Sequence, residues 1–309
     1  MIIVVNPNVG LDYMLFFNDL RRDATVRATK AKWGLGGKGL VAAYMLAGLG
    51  APVWLTGFSR GIVGQEVNRI LGYRGIETEF VEARGTARIN VVLKDLSGGW
   101  QSTITAPGLE VRKEHEKKLL LLVSERLPLS TCLVLGGSLP QGCSSKLYSE
   151  LIRAARREDV PCVLDTSGPP LREAVKAQPT AVKPNRHEAS ELWGREIIAK
   201  EDALIVAEEL HRIGISWVVI SLGVQGLVAF GEGRAWYASP PPLDPKSTAG
   251  AGDAIVAGLA LGLARSWGIM DSLRWGLSLA AALMEKESVL ECDFERVPFW
   301  LKRIYIQPC

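Results

Sequence analysis

Short runs rich in β-branched residues alternate along this chain with longer stretches whose apolar residues recur every three or four positions, and that alternation leaves few folds open. The runs at residues 2–5, 53–57, 133–135, 160–164 and 218–221 are almost continuously apolar, the pattern of strands buried on both faces. Between them, residues 38–49, 114–126, 145–157 and 202–213 carry helical spacing. Parallel strands cannot be joined by tight turns and need a crossover, usually a helix, so the alternation predicts an α/β chain with helices crossing over a parallel sheet. At 309 residues the chain could hold two domains of average size. No linker, low-complexity segment or internal repeat divides it, so residues 1–309 read as a single domain.

Two stretches break the rhythm. Residues 11–32 are mixed and charged, while residues 86–106 read as two strands around the turn Ser97-Gly98-Gly99. A small sheet standing outside the main body would have one face to cover. It would serve as a lid over a ligand or as a surface for a second copy, and a homodimer through the lid is the expectation. The charge balance is close to even: 36 Lys and Arg against 33 Asp and Glu leave +3, too little for a general nucleic-acid or membrane footprint. Any useful positive charge must be local, and a small anionic ligand fits that constraint. With 48% hydrophobic and 22% charged residues the chain can bury a large core, which excludes disorder. The five cysteines form no CxxC pair and the three histidines lie at no ligand spacing from them, so neither a disulfide framework nor a zinc site is expected. The N-terminal residues lack the basic start and long apolar run of a signal peptide, and no apolar run reaches about 18 residues, which points to a cytoplasmic location.

The segment richest in chemistry is Ser247-Thr248-Ala249-Gly250-Ala251-Gly252-Asp253, followed by a long run of small and apolar residues. Its small residues permit a tight turn into a helix whose first N–H groups are free to face an anion, with the Asp253 carboxylate at the lip. Phosphoryl transfer needs both parts, donors for the charge on the transferring oxygens and a base beside the attacking hydroxyl. The same residues also fit a core helix with an ordinary acid in its first turn. A second glycine cluster, Gly34 to Gly39, matches a GxGxxG spacing but does not directly follow an expected strand, and no GK[ST] completes a phosphate loop, so a dinucleotide site is rejected. Lys38 at a helix start is electrostatically misplaced unless it shares an anion with the helix N-terminus.

Taken in order, Gly36-Gly37-Lys38-Gly39, Gly137-Ser138-Leu139-Pro140-Gln141-Gly142, Asp165-Thr166-Ser167-Gly168, Lys183-Pro184-Asn185 with Glu188, Ser221-Leu222-Gly223 and the 247–253 segment resemble the ribokinase, or PfkB, sugar kinases over essentially the whole chain. Arg88-Ile89-Asn90-Val91 makes it most similar to the 1-phosphofructokinase and tagatose-6-phosphate kinase branch. The resemblance implies a ribokinase-like three-layer α/β/α core, a mainly parallel sheet with a small β lid, ATP with Mg²⁺ as donor and a sugar alcohol as acceptor. It implies Asp253 as general base, with the N–H groups of Gly250, Ala251 and Gly252 as the anion hole. Asp12, Gly37 and Asn90 would bind the sugar. Lys183, Asn185, Ser221, Gly223, Gly226 and Gly252 would line the nucleotide site, and Glu188 with Asn185 would order Mg²⁺ and its water.

Arg88 and Asn90 share one strand face, which points either at solvent or at substrate. Arg88 belongs to the phosphosugar branch, and with Lys38, Arg27 and Ser138 it would hold an acceptor phosphate through charge-assisted contacts. The expected reaction is therefore phosphorylation of a ketohexose monophosphate, fructose 1-phosphate first, with fructose 6-phosphate and tagatose 6-phosphate close. A kinase for an unphosphorylated sugar or nucleoside, and a non-catalytic binder of a sugar phosphate or nucleotide, stay open. Three motifs depart from the family pattern: Val9 and Gly10 follow Asn8, Ala249 stands for Val, and Val41 stands where an Asn sugar ligand is usual. Losing that amide removes a donor and an acceptor for a sugar hydroxyl. Trp33 beside the glycine cluster could touch a sugar, His187 reads as a helix-surface residue and Cys143 as a buried small one.

Overall fold

The computed structural model describes residues 1–309. Its first half runs β1 (Ile2–Asn8), β2 (Gly10–Phe17), β3 (Lys30–Leu35), α1 (Lys38–Gly48), β4 (Val53–Ser59), α2 (Gly61–Gly72), β5 (Glu77–Glu82), β6 (Arg88–Asp95), β7 (Gln101–Ile104) and α3 (Lys113–Arg126). Strand and helix then alternate through β8 (Cys132–Gly136), α4 (Leu147–Arg157), β9 (Cys162–Asp165), α5 (Gly168–Val175), β10 (Ala181–Val182), α6 (Arg186–Trp193), α7 (Lys200–Arg212) and β11 (Trp217–Ser221). The hairpin β12 (Leu227–Gly231) and β13 (Arg234–Ala238), helices α8 (Ala251–Ala264), α9 (Ile269–Met284) and α10 (Val297–Leu301), and β14 (Ile306–Pro308) complete the chain.

Ten strands form one sheet in the order β14-β13-β12-β11-β10-β9-β8-β1-β4-β5. From β11 to β5 every neighbour is parallel, and only β12, β13 and β14 run antiparallel, at one edge. The core divides across this sheet as strand alternation requires. Along β1, Ile2 and Val4 belong to a cluster of 48 buried residues shared with α1, α8 and α9, whereas Ile3 and Val5 belong to one of 38 shared with α3, α4 and α7. Helices therefore cover both faces, and the three-layer α/β/α expectation holds.

The two stretches that broke the rhythm fall together. They form a separate four-stranded sheet in the order β3-β2-β6-β7, with β2 and β6 parallel and the outer pairs antiparallel. A lid built from about 11–32 and 86–106 is the expectation, and the sheet joins both: β2 and β3 come from the first stretch, β6 and β7 from the second. One face turns to the body, where Met14, Phe16 and Val92 make their own small cluster. Charge ties it there: Lys32 pairs with Glu287 at 2.6 Å and with Glu291, Lys30 with Glu287, and Lys94 donates to the Ser247 hydroxyl at 3.1 Å.

Helix α8 is buried from Ala254 to Gly262 and rests on α9 with no side chain between them at the closest point. A Cβ on Gly258 would sit 2.4 Å from the Gly276 Cα, so glycine is what lets the two backbones meet. No helix is long and apolar enough to cross a membrane.

Candidate active site

In open parallel sheets ligands bind beyond the carboxyl ends of the strands. Here the ends of β1, β8 and β9, the N-termini of α1 and α8 and the inner face of the small sheet enclose a cavity of about 320 Å³. Asn8, Asp12, Gly37, Lys38, Arg88, Asn90, Ser138, Gly250 and Asp253 all line it. Residues scattered over most of the chain are thus brought to one place.

At the inner end, Asp165 terminates β9 and its side chain is 1% exposed. Lys38 from the start of α1 reaches Asp165 Oδ1 at 2.8 Å and Glu188 Oε1 at 3.0 Å, and Lys183 reaches Asp165 Oδ2 at 3.2 Å. Burial opposes the charge of Lys38, yet these carboxylates outweigh it and raise its pKa. Burial likewise opposes the charge of Asp165, and Lys183 and Lys38 hold its pKa below the usual carboxylate range. The anion expected to balance Lys38 is therefore supplied by the protein, at the Asp253 end of the cavity. Lys38 nevertheless lines the same cavity as Arg88.

Asp253 lies in the first turn of α8, entered through Gly250 at φ 82°, a left-handed conformation that suits glycine. Burial first, then the nearby Asp165 charge, push its pKa up to about 7 against the opposing pull of Lys38 and Lys183. The anion hole needs one revision. The Ala251 N–H is turned back to the Thr248 carbonyl at 3.3 Å, which leaves Gly250, Gly252 and Asp253 as the N–H groups without an internal acceptor. Lys183 stands at their side, its Nζ 3.1 Å from where a Cβ on Gly252 would be.

At the outer end, Asp12 on β2 accepts from the Asn90 amide at 2.8 Å, as their direct opposition in the β2–β6 register dictates. Burial raises the Asp12 pKa, while Asn90 and the Arg88 charge oppose the rise. Burial lowers that of Arg88, offset in part by Asp12. Arg88 Nε, Asn8 Oδ1 and Asn90 Oδ1 are buried with no partner, although Asn8 does donate to the Ser138 hydroxyl at 3.3 Å. A buried polar atom without a partner is costly, so three around one cavity mark a place for a polar ligand.

Several expected residues lie elsewhere. Arg27 is exposed in the loop between β2 and β3 and does not line the cavity. Ser221, Gly223 and Gly226 surround the turn after β11, outside the cavity, with Ser221 bridged to Asn185. Glu188 is engaged at both oxygens: one accepts from Lys38, the other from the Asn185 N–H at 2.9 Å in a capping box that starts α6. No group of three or more carboxylate, histidine or cysteine side chains converges. A divalent ion here would take most of its ligands from phosphate oxygens and water, the habit of Mg²⁺ in nucleotide sites, and the hard oxygens of Glu188 and Asp165 fit that role. Trp33 packs on Tyr13 with ring centroids 4.5 Å apart and stays out of the cavity. His187 is exposed, and burial raises the half-buried Cys143 thiol to about 12.

Sequence reasoning missed Asn6, whose buried amide accepts from the Gly39 N–H at 3.0 Å and seats the start of α1. It also gave Asp165 no role, although a carboxylate at the end of an expected parallel strand is a signal for one.

Residues 6–295 match the pfkB family carbohydrate kinases. The chain belongs to that family. It is 30% identical to a 1-phosphofructokinase of Escherichia coli strain K12 over 99% of this chain and 97% of that one. A 1-phosphofructokinase of Vibrio cholerae is 31% identical over 96% and 93%. A solved tetrameric inhibited form of phosphofructokinase-2 from E. coli superposes with a TM-score of 0.88 at 27% identity, over 97% of this chain and 98% of that one. As a pfkB family member the chain is a carbohydrate kinase that takes its phosphoryl group from ATP.

Proposed function

We propose that this kinase phosphorylates a ketohexose monophosphate, with fructose 1-phosphate as the favoured acceptor and fructose 6-phosphate and tagatose 6-phosphate close behind. The observation that carries the reading is Arg88: a half-buried guanidinium with a buried, unpartnered Nε, lining the same cavity as Asp253. A neutral sugar gives such a group little reason to be there, whereas a phosphate would fill it with a charge-assisted bond. Asp12, Asn90, Asn8 and Ser138 would bind the hydroxyls and the phosphate around it. The names of the E. coli and V. cholerae relatives support the same acceptor class.

In the proposed reaction the free hydroxyl lies beside Asp253. Its oxygen forms a bond to the terminal phosphorus of ATP, the bond from that phosphorus to the ADP oxygen breaks, and the hydroxyl proton passes to Asp253. A base with a pKa near 7 is half available at neutral pH and still basic enough to accept it. The free N–H groups of Gly250 and Gly252, with Lys183, would face the charge on the transferring oxygens. Mg²⁺ would neutralise the triphosphate, with Glu188 and Asn185 holding its water. Lys183, Asn185, Ser221, Gly223 and Gly226 would carry the nucleotide. A coupled assay of ADP release over fructose 1-phosphate, fructose 6-phosphate, tagatose 6-phosphate, fructose and ribose tests the assignment; turnover confined to the unphosphorylated sugars overturns it.

The small sheet would act as the lid, and we propose that its outer face joins two copies. Trp33, Tyr13, Val91 and Ile104 stand opposite one another across all four strands, and Trp33 and Ile104 are 46% and 58% exposed. An apolar row of this kind on an open sheet calls for a cover. The solved inhibited form of the E. coli relative is tetrameric. Light scattering at tens of micromolar should give twice the chain mass, and Ile104→Asp should return it to one; a monomeric wild type sinks the proposal.

A further inference from the structure

One buried peptide links the body of the fold to the acceptor end of the cavity. Gly137 follows β8 at φ 99°, and its N–H donates to the Asp165 carbonyl at 3.0 Å. Its carbonyl accepts two hydroxyls from the core, Tyr148 of α4 at 2.8 Å and Thr166 after β9 at 2.9 Å. Both donors are essentially inaccessible to water. One hydroxyl would satisfy a buried carbonyl, and the second makes its direction rigid.

That direction has a consequence on the other side of the peptide plane. The bond is trans, so the Ser138 N–H points opposite to the Gly137 carbonyl, away from Tyr148 and Thr166. Gly137 and Ser138 both line the cavity, and the Ser138 N–H has no acceptor within the chain. The Asn8 amide donates to the Ser138 hydroxyl, and Arg88 lines the same cavity. We infer that Tyr148 and Thr166 are positioning residues: by clamping the Gly137 carbonyl they aim the Ser138 N–H at the phosphate already carried by the acceptor. The inference rests on the phosphosugar reading and adds two residues that never touch the sugar. A fixed N–H costs no reorganisation when the anion arrives, unlike a side chain that must be ordered.

The experiment compares Thr166→Val, Tyr148→Phe and Thr166→Ser with the wild-type chain in the ADP-release assay, with inorganic phosphate as a competitive inhibitor. Removing either hydroxyl should raise the KM for the phosphorylated acceptor and the Ki of inorganic phosphate together, by about three- to tenfold, the worth of one hydrogen bond. The KM for ATP should stay put, as should the KM for fructose. Thr166→Ser should restore wild-type values. If both variants lose thermal stability while the KM for phosphorylated acceptor and the phosphate Ki hold, the hydroxyls merely satisfy a buried carbonyl and the inference is overturned. Should the variants not fold, the wild-type Ser138 amide proton resonance decides: it should move downfield on adding fructose 1-phosphate, and an unmoved resonance overturns the inference. Arg88→Ala separates the two levels. If that variant discriminates phosphorylated from plain acceptors and the Thr166 and Tyr148 variants do not, only the positioning role falls; if none discriminates, the phosphosugar reading falls with it.

Discussion

Arg88 separates a phosphosugar kinase from a plain sugar kinase more sharply than any other residue. It is half-buried on β6, its charge feels Asp12, and its stem packs on backbone: a Cβ added to Gly10 would lie 2.8 Å from Arg88 Cγ. Truncation therefore removes both a guanidinium and a packed aliphatic stem. Arg88→Met keeps much of the stem and isolates the charge. A hydrogen bond to a charged group is worth about 1.5–3 kcal/mol, so kcat/KM for a ketohexose monophosphate should fall roughly tenfold to a little over a hundredfold. The KM for ATP should barely move, and Arg88→Lys should recover part of the loss, since an ammonium keeps the charge and loses the planar fork. A secondary effect has a known sign. Arg88 is one of the influences that lower the Asp12 pKa, so its loss lets that pKa climb further. Assays at several pH values separate this effect from the phosphate contact. Equal losses with fructose and its phosphates in the Met variant would refute the argument and leave Arg88 as a support for the small sheet.

Asp253→Asn should fold and bind ATP while kcat falls by roughly 10² to 10⁴, the usual contribution of a general base, and turnover at the wild-type rate would exclude the assignment. Since the base must be deprotonated, kcat/KM should climb with pH and level off above about 7. In Asp165→Asn the inflection should move to lower pH, because a like charge disappears and Lys38 and Lys183 are freed to act on Asp253; a pH titration of the variant reads it. The raised pKa also means that the folded chain binds the Asp253 proton more tightly than the unfolded one, so this residue subtracts stability as pH rises from the ordinary carboxylate range through about 7. Asp253→Asn should accordingly gain more in Tm at pH 8 than at pH 5, by calorimetry. Gly258→Val, which drives a branched side chain into the α9 backbone, should cost about 1–3 kcal/mol or more in urea unfolding.

What could be read in the sequence follows from which signals are local. The strands that became β1, β4, β8, β9 and β11, and the helices α1, α3, α4 and α7, were legible to within a few residues because burial on two faces, or on one helical stripe, stamps a run directly. Strand β10 has two residues and no room for a period. Strands β2 and β3 were hidden because Asp12, Lys30 and Lys32 occupy their inward face, where the cavity and Glu287 receive them instead of a core. The site divides the same way. The turn before Asp253 and the polar face of Arg88 and Asn90 are local patterns. The partnership of Lys38 with Asp165 and Glu188 spans 127 and 150 residues of chain and exists only once β9 and α6 stand side by side. Asn6 lies just past the expected strand at residues 2–5, and only the seat it gives to Gly39 shows its purpose.

The contact between Gly258 and Gly276 bears on how such an enzyme can change over generations. Asp253 accepts no hydrogen bond from the protein, so nothing but its helix sets where the carboxylate stands. Gly258 lies five positions further along that helix, about 7.5 Å at 1.5 Å per residue. A larger residue on either side of the contact would tilt the helix and carry the base out of reach of the hydroxyl. No rotamer can absorb the change, because no side chain is present to turn. The two glycines are coupled, and neither can be replaced unless its partner helix moves first. Drift in this lineage must therefore pass around the α8–α9 seam, leaving the outer helices and the small sheet as the places where acceptor preference can be revised without disturbing the chemistry.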